Sequence, residues 1–133
     1  MPQATAAAII TRQADKETQI LLTLRAIEPF KGQWCIPGGH IEENEPVKDA
    51  VIREVKEETG LQFEANFYTY FDEIIPPDIH QVVLVFDGPV YGDARFDPEE
   101  VTEMRWFSIE QALELPLAFQ HNEILNAYVN SSG

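Results

Sequence analysis

Apolar residues in this chain fall into short blocks separated by polar turns. Residues 4–12 (ATAAAIITR) and 20–25 (ILLTLR) are two strand-length apolar runs around the polar segment 13–19 (QADKETQ), so they predict a hairpin. A loop over residues 26–33 follows, then a short strand at 34–36 that ends at Pro37. Residues 61–74 and 80–91 are strand-rich and flank the loop IPPD at 75–78. Residues 95–103 (RFDPEEVTE) read as an acidic loop, and MRWF at 104–107 as a last short strand.

Helical signals occupy the remaining segments. After the loop that begins at Gly38, Asn44 is placed to cap a helix, with Pro46 in its first turn and Gly60 at its C-terminal stop. Val47, Ala50 and Val51 give that helix an apolar stripe at i, i+3 and i+4. Residues 108–115 open with a Ser-x-x-Gln capping box, Pro116 stops them, and 117–130 form an amphipathic terminal helix. Neither repeats nor linker-like stretches interrupt the order. The expectation is one α/β domain over residues 1–133, a mixed sheet covered on both faces as an α/β/α sandwich.

The central helix changes character halfway. Continuing the stripe from Ala50 and Val51 leads to Glu54, Glu57 and Glu58, while Val55 extends the apolar edge and Lys48, Asp49 and Lys56 take the opposite side. Carboxylates at i, i+3 and i+4 lie about 5–6 Å apart at Cβ. On a half-buried face, near the negative end of the helix dipole, they repel, lose hydration, and either neutralise or acquire a cation. Mg²⁺ or Mn²⁺ suits such oxygen ligands. From the helix alone, an ordinary solvated acidic face accounts for the same run.

Charge narrows the partners. A formal net charge of −14 disfavours electrostatic binding to nucleic acid. Small anionic substrates stay open, because a bound divalent cation reverses the local sign. The lone cysteine, Cys35, excludes an intrachain disulfide and a thiolate metal framework, and reads as a small buried apolar residue. No run approaches ~18 apolar residues, so no membrane span is expected. The N-terminal segment has no basic stretch before its apolar run and does not read as a signal peptide, so the expected location is the cytoplasm.

Residues 39–61 resemble the Nudix box, G-x5-E-x7-R-E-U-x-E-E-x-G-U, where U is a bulky aliphatic residue. Gly39, Glu45, Arg53, Glu54, Val55, Glu57, Glu58, Gly60 and Leu61 fill all nine specified positions at the right spacing. ILLTLR, WCIPGG (34–39) and RWFS (105–108) extend the likeness through the family's usual order. The resemblance implies metal-dependent hydrolysis of a nucleoside diphosphate linked to a further group X. It implies that Glu54, Glu57 and Glu58 hold Mg²⁺ or Mn²⁺ and that one of them acts as general base. Arg53 would orient a box carboxylate, Glu45 would brace the loop and helix, and the Gly38 carbonyl is a further candidate ligand. Among the acids of the 95–103 loop, Glu100 is the candidate for an additional metal carboxylate.

Substrate signals are sparser. Pro77 lies sixteen residues past Leu61, a position that resembles members cleaving ADP-ribose and favours ADP-ribose or a nucleoside diphosphate sugar. Arg25 is a candidate for a phosphate contact, and Trp34, Phe30 or Tyr70 for stacking a base. Two other readings stand beside this one: a nucleoside triphosphate pyrophosphatase, and a non-catalytic domain that senses a nucleotide. Family members are often homodimers, so a homodimer is a further expectation.

Overall fold

In a computed structural model, which describes residues 2–132, nine strands and three helices appear in the order β1 (Gln3–Ala14), β2 (Glu17–Arg25), β3 (Trp34–Cys35), β4 (Gly38–His40), α1 (Val47–Thr59), β5 (Gln62–Phe63), β6 (Asn66–Ile75), β7 (Ile79–Gly88), β8 (Val90–Tyr91), β9 (Val101–Ser108), α2 (Ile109–Glu114) and α3 (His121–Ser132). The main sheet runs β3-β2-β1-β7-β6, with β4 also paired to β1 and β9 to β2; β5 and β8 form a separate pair. β1 and β7 are parallel, and the other pairs are antiparallel. The sheet is therefore mixed, as expected.

β1 shows why both faces are covered. Its side chains alternate, and both sets are apolar, as a strand buried on two sides requires. Ala7 and Ile9 enter one cluster with Ile20, Leu22, Ala112, Ile124 and Leu125, beneath α2 and α3. Ala6, Ala8 and Ile10 enter the other with Leu21, Val51 and Val55, beneath α1. This is the α/β/α sandwich read from the sequence. The predicted hairpin closes at Asp15 and Lys16, both at positive φ (53° and 66°), the backbone a two-residue hairpin turn needs.

Several boundaries differ from the sequence reading. Asn44 does not cap α1: it sits in the preceding turn at φ 62°, and extended Pro46 stands at the cap without a side-chain bond. Gly60 does end the helix, in the left-handed region at φ 78°. Residues 38–40 are a strand rather than loop, because β1 recruits them through Ala7↔Gly38, Ala6↔Gly39 and Thr5↔His40. β9 begins at Val101, inside the expected acidic loop, by pairing with Arg25. The terminal helix starts at His121 instead of residue 117, because Asn122 binds back across the preceding turn. Its side chain accepts from Leu117 N (3.0 Å) and donates to Leu115 O (2.7 Å).

Candidate active site

α1 sends its side chains in the directions the stripe implies, with one division. Val51 and Val55 are buried, Glu58 is 8% exposed, and Glu54 lies partly covered beside it. The Glu57 side chain keeps 49% of its exposure. The acidic half of the stripe is therefore graded from core to solvent.

Arg53 ties the loop to the helix. Its guanidinium grips Glu45 with two bonds, Nε to Oε2 (2.8 Å) and Nη2 to Oε1 (3.1 Å), the bidentate form that fixes orientation best. Nη1 donates to Glu54 (2.9 Å) and Glu57 (3.2 Å), and Nη2 also donates to the His40 carbonyl (3.1 Å). Glu45 in turn accepts from Glu42 N (3.0 Å), and these bonds hold its carboxyl below the usual carboxylate range. The same carboxylates push the Arg53 guanidinium higher still.

β4 brings backbone against these acids. A Cβ on Gly39 would lie 2.5 Å from the Glu54 carboxyl carbon, so only glycine leaves that space open. Gly38 N faces Glu58 Oε1 at 3.4 Å. Burial first, and then the Glu54 and Glu100 charges, drive the Glu58 carboxyl well above its ordinary value. Burial and the charges of Glu54, Glu57 and Asp97 raise Glu100 as well, against a lowering by Arg25. Glu54, Glu58 and Glu100 all line one cleft of about 900 Å³.

A divalent cation fits this donor set. The groups are hard carboxylate oxygens, mutually repelling and partly desolvated, and the missing Gly39 side chain leaves room beside Glu54. Among the described residues, however, no three acidic, histidine or cysteine side chains already converge on one ion position. Glu54 and Glu57 are instead turned towards Arg53.

The cleft also gathers most of the expected substrate contacts. Pro77 lines it from the β6–β7 turn, and Arg25 from the end of β2. The Arg25 Nε donates to the Pro29 carbonyl (2.7 Å), and its guanidinium lies 5.0 Å from the Phe119 ring centroid. Trp34 is not among the lining residues, and its ring packs edge-on against Phe107 at 5.0 Å. The pairing of β3 with β2 turns it onto the core cluster beneath α2 and α3. Tyr70 and Phe30 do not line the cleft either. Cys35 is buried next to the Thr23 hydroxyl, and burial pushes its thiol up to about 11, in keeping with an inert core residue.

Among the lining residues that the sequence reading does not single out are Glu73, Phe119 and His121. Glu73 is 1% exposed, accepting from Gln81 Nε2 (2.7 Å) and Gln120 N (2.9 Å). The alternation along β6, with Asp72 and Ile74 outward, was the available signal for its burial. His121 accepts at Nδ1 from Ile36 N (3.0 Å), and burial pushes its pKa down to about 3. Phe119 depends on a turn that no local pattern announces.

The family model for the NUDIX domain matches residues 1–128. The ADP-ribose pyrophosphatase of Methanocaldococcus jannaschii is 36% identical over 118 residues, covering 86% of this chain and 68% of the relative. The crystal structure of a MutT NUDIX hydrolase from Burkholderia pseudomallei aligns at TM-score 0.84 and 31% identity, covering 95% of this chain and 97% of that one. The NUDIX domain of Shewanella oneidensis NrtR, solved with ADP ribose, aligns at TM-score 0.88 with 22% identity, covering 100% of this chain and 90% of that one, a likeness of fold.

Proposed function

Because the chain belongs to the Nudix family of pyrophosphohydrolases, we propose that it cleaves ADP-ribose or a closely related nucleoside diphosphate sugar in a reaction that depends on Mg²⁺ or Mn²⁺. One observation carries the reading: the box carboxylates Glu54 and Glu58, the outlying Glu100 and the Pro77 turn all open onto the same cleft. The archaeal relative named as an ADP-ribose pyrophosphatase supports the choice of substrate.

Glu54, Glu58 and Glu100 would hold the cation, with Glu57, which does not line the cleft, and the Gly38 carbonyl as further candidate ligands. Bound there, a divalent ion screens the pyrophosphate charge and lowers the pKa of an attacking water. The chain's own groups do the rest. Arg53 fixes the Glu54 and Glu57 carboxylates from one guanidinium. One of the box glutamates accepts the proton of the water. Arg25 presents its guanidinium to the phosphates from across the cleft, where its charge already acts on Glu100.

The test is turnover of a panel of ADP-ribose, NDP-sugars, dinucleotides and nucleoside triphosphates with Mg²⁺, beside Glu57→Gln and Glu58→Gln. Release of AMP from ADP-ribose, reduced by about 100-fold or more in the variants, is expected for loss of a proton-transfer or ligand group. Pyrophosphate release from a triphosphate instead would make it a nucleotide pyrophosphatase. Tight nucleotide binding without turnover, unchanged in both variants, would make it a sensor domain.

A further inference from the structure

Part of the cleft floor is the sheet itself, and there the side chains turn from apolar to polar. Ala7 and Val83 belong to the cluster beneath α2 and α3; Gln3, Thr5 and Gln81 continue the same face of β1 and β7 into the cleft. Gln3 and Gln81 are register partners on the two parallel strands, so they stand side by side at the strand spacing of about 4.8 Å. Each amide is oriented from one side. The Glu73 carboxylate is 1% exposed and takes two donors, Gln120 N (2.9 Å) and Gln81 Nε2 (2.7 Å). A carboxylate only accepts, so Gln81 turns its NH₂ to Glu73 and leaves its carbonyl oxygen unengaged. Gln3 Oε1 meets His40 Nε2 at 2.6 Å, and with the ring proton on that nitrogen the Gln3 NH₂ is left as a donor. The Thr5 hydroxyl, on a residue only 8% exposed, has no partner among the described residues. None of their buried side-chain polar atoms is unsatisfied, so the unengaged Thr5 and Gln81 oxygens open onto the cleft that both residues line.

We propose that Gln3, Thr5 and Gln81 form a corner that binds the vicinal hydroxyls of a substrate sugar, and that Glu73 is the positioning residue that sets which way Gln81 faces. The corner holds a donor, an acceptor and a hydroxyl, all neutral and none aromatic. A phosphate calls for cations and a base for a flat π-surface. Adjacent sugar hydroxyls, each donor and acceptor at once, call for this mixture. The inference rests on the nucleoside diphosphate sugar reading above and deepens it: the acids of α1 act on the pyrophosphate, and this corner selects hydroxylated over deoxy sugars. Such a substrate carries two sugars, the nucleoside ribose and the sugar of the group X, and the same chemistry serves either. Glu73 does not itself touch the substrate, since both of its oxygens are engaged within the protein.

Equilibrium binding of two ligand pairs, each with Mg²⁺, tests the corner: ribose 5-phosphate against 2-deoxyribose 5-phosphate, and AMP against 2′-deoxy-AMP. The wild type is expected to favour the hydroxylated member of at least one pair by about 2- to 12-fold, the range for one neutral hydrogen bond. A preference in the first pair assigns the corner to the sugar of X, and one in the second to the nucleoside ribose. Gln81→Leu and Thr5→Val keep side-chain size and remove the polar atoms, so each should bring that ratio close to one. Thr5→Val leaves the Glu73 contacts intact and serves if Gln81→Leu fails to fold. Glu73→Gln tests the positioning role. An amide at 73 donates to the Gln81 oxygen and turns its NH₂ to the cleft, so the ratio should fall although all three corner residues remain. The proposal is overturned if the wild type binds both members of both pairs equally, or if whichever of Gln81→Leu and Thr5→Val folds keeps the wild-type ratio. An unchanged ratio in Glu73→Gln overturns the role given to Glu73. Failure of the wild type to cleave any nucleoside diphosphate would sink the hydrolase reading, and the two ratios would still decide the role of the corner.

Discussion

A Cβ at residue 39 would point into the Glu54 carboxyl group, with both oxygens 2.6 Å away, while Arg53 holds that carboxylate from the other side. The obstructed atoms are the end of a flexible side chain, so Glu54 can swing away at small cost to the fold. Catalysis has no such freedom, because a displaced ligand or base loses its geometry. Gly39→Ala is therefore expected to lower the rate by about 10-fold or more, while the thermal midpoint moves by only a few degrees. Parallel assays of activity and melting check this; a large loss of stability with normal specific activity would show that the glycine serves the turn alone. Legibility divides along the same line at this scale. The box acids, Arg53, Pro77 and Arg25 could be read because each belongs to a spaced motif or a local pattern. Phe119 and His121 reach the cleft through contacts with residues far away in sequence, such as Trp34 and Ile36, which no local pattern encodes. Trp34 shows the converse: an aromatic can be offered for stacking a base from sequence, but strand pairing decides its face, and here it packs towards Phe107.

At the scale of elements, the long strongly patterned segments were legible and the short ones were not. β1, β2 and α1 declare themselves by period and length, since a slip of one residue would expose an apolar face. β4 is three residues with two glycines and has no strand propensity of its own; pairing with β1 makes it a strand. Asn44 carries a capping side chain but sits two residues before the cap at Pro46, and Glu45 ties the loop instead through Arg53 and Glu42 N. Gly60 is where pattern and geometry agree most closely. Its φ of 78° and the 2.6 Å that a Cβ would have to Arg95 N both demand glycine, and Arg95 N in turn binds the Thr59 carbonyl. Gly60→Ala meets backbone rather than a movable side chain. It should cost about 1–2 kcal/mol from the left-handed conformation alone, and more from the clash. Chemical denaturation would measure this, and a loss under about 0.5 kcal/mol would mean that the helix end relaxes freely.

Across the whole molecule, one buried contact links the two layers that flank the cleft. His121 opens α3 and accepts the Ile36 amide at the end of β3, so its imidazole must be neutral at Nδ1 for the layers to meet. Its folded pKa is pushed down to about 3 by burial and by the nearby Arg25 charge, against about 6.5 in an unfolded chain. The sign follows from proton counting. Between about pH 6.5 and 3 the unfolded state takes up a proton that the folded state refuses, so this residue makes stability fall as the pH falls through that window. The limiting slope for one proton is about 1.4 kcal/mol per pH unit. Glu58 and Glu100 work in the other direction, because their folded pKa values are raised and protonation favours the folded state. The net profile therefore mixes opposing contributions, and the difference between wild type and His121→Asn isolates one of them. Asn keeps an acceptor near Nδ1 and cannot titrate, so the variant should lose stability at pH 7 and converge on the wild type as the pH approaches 4. Urea unfolding at stepped pH measures this convergence. Parallel curves would mean that His121 takes up its proton as readily in the fold as in the unfolded chain, and that the link between β3 and α3 does not depend on a neutral ring.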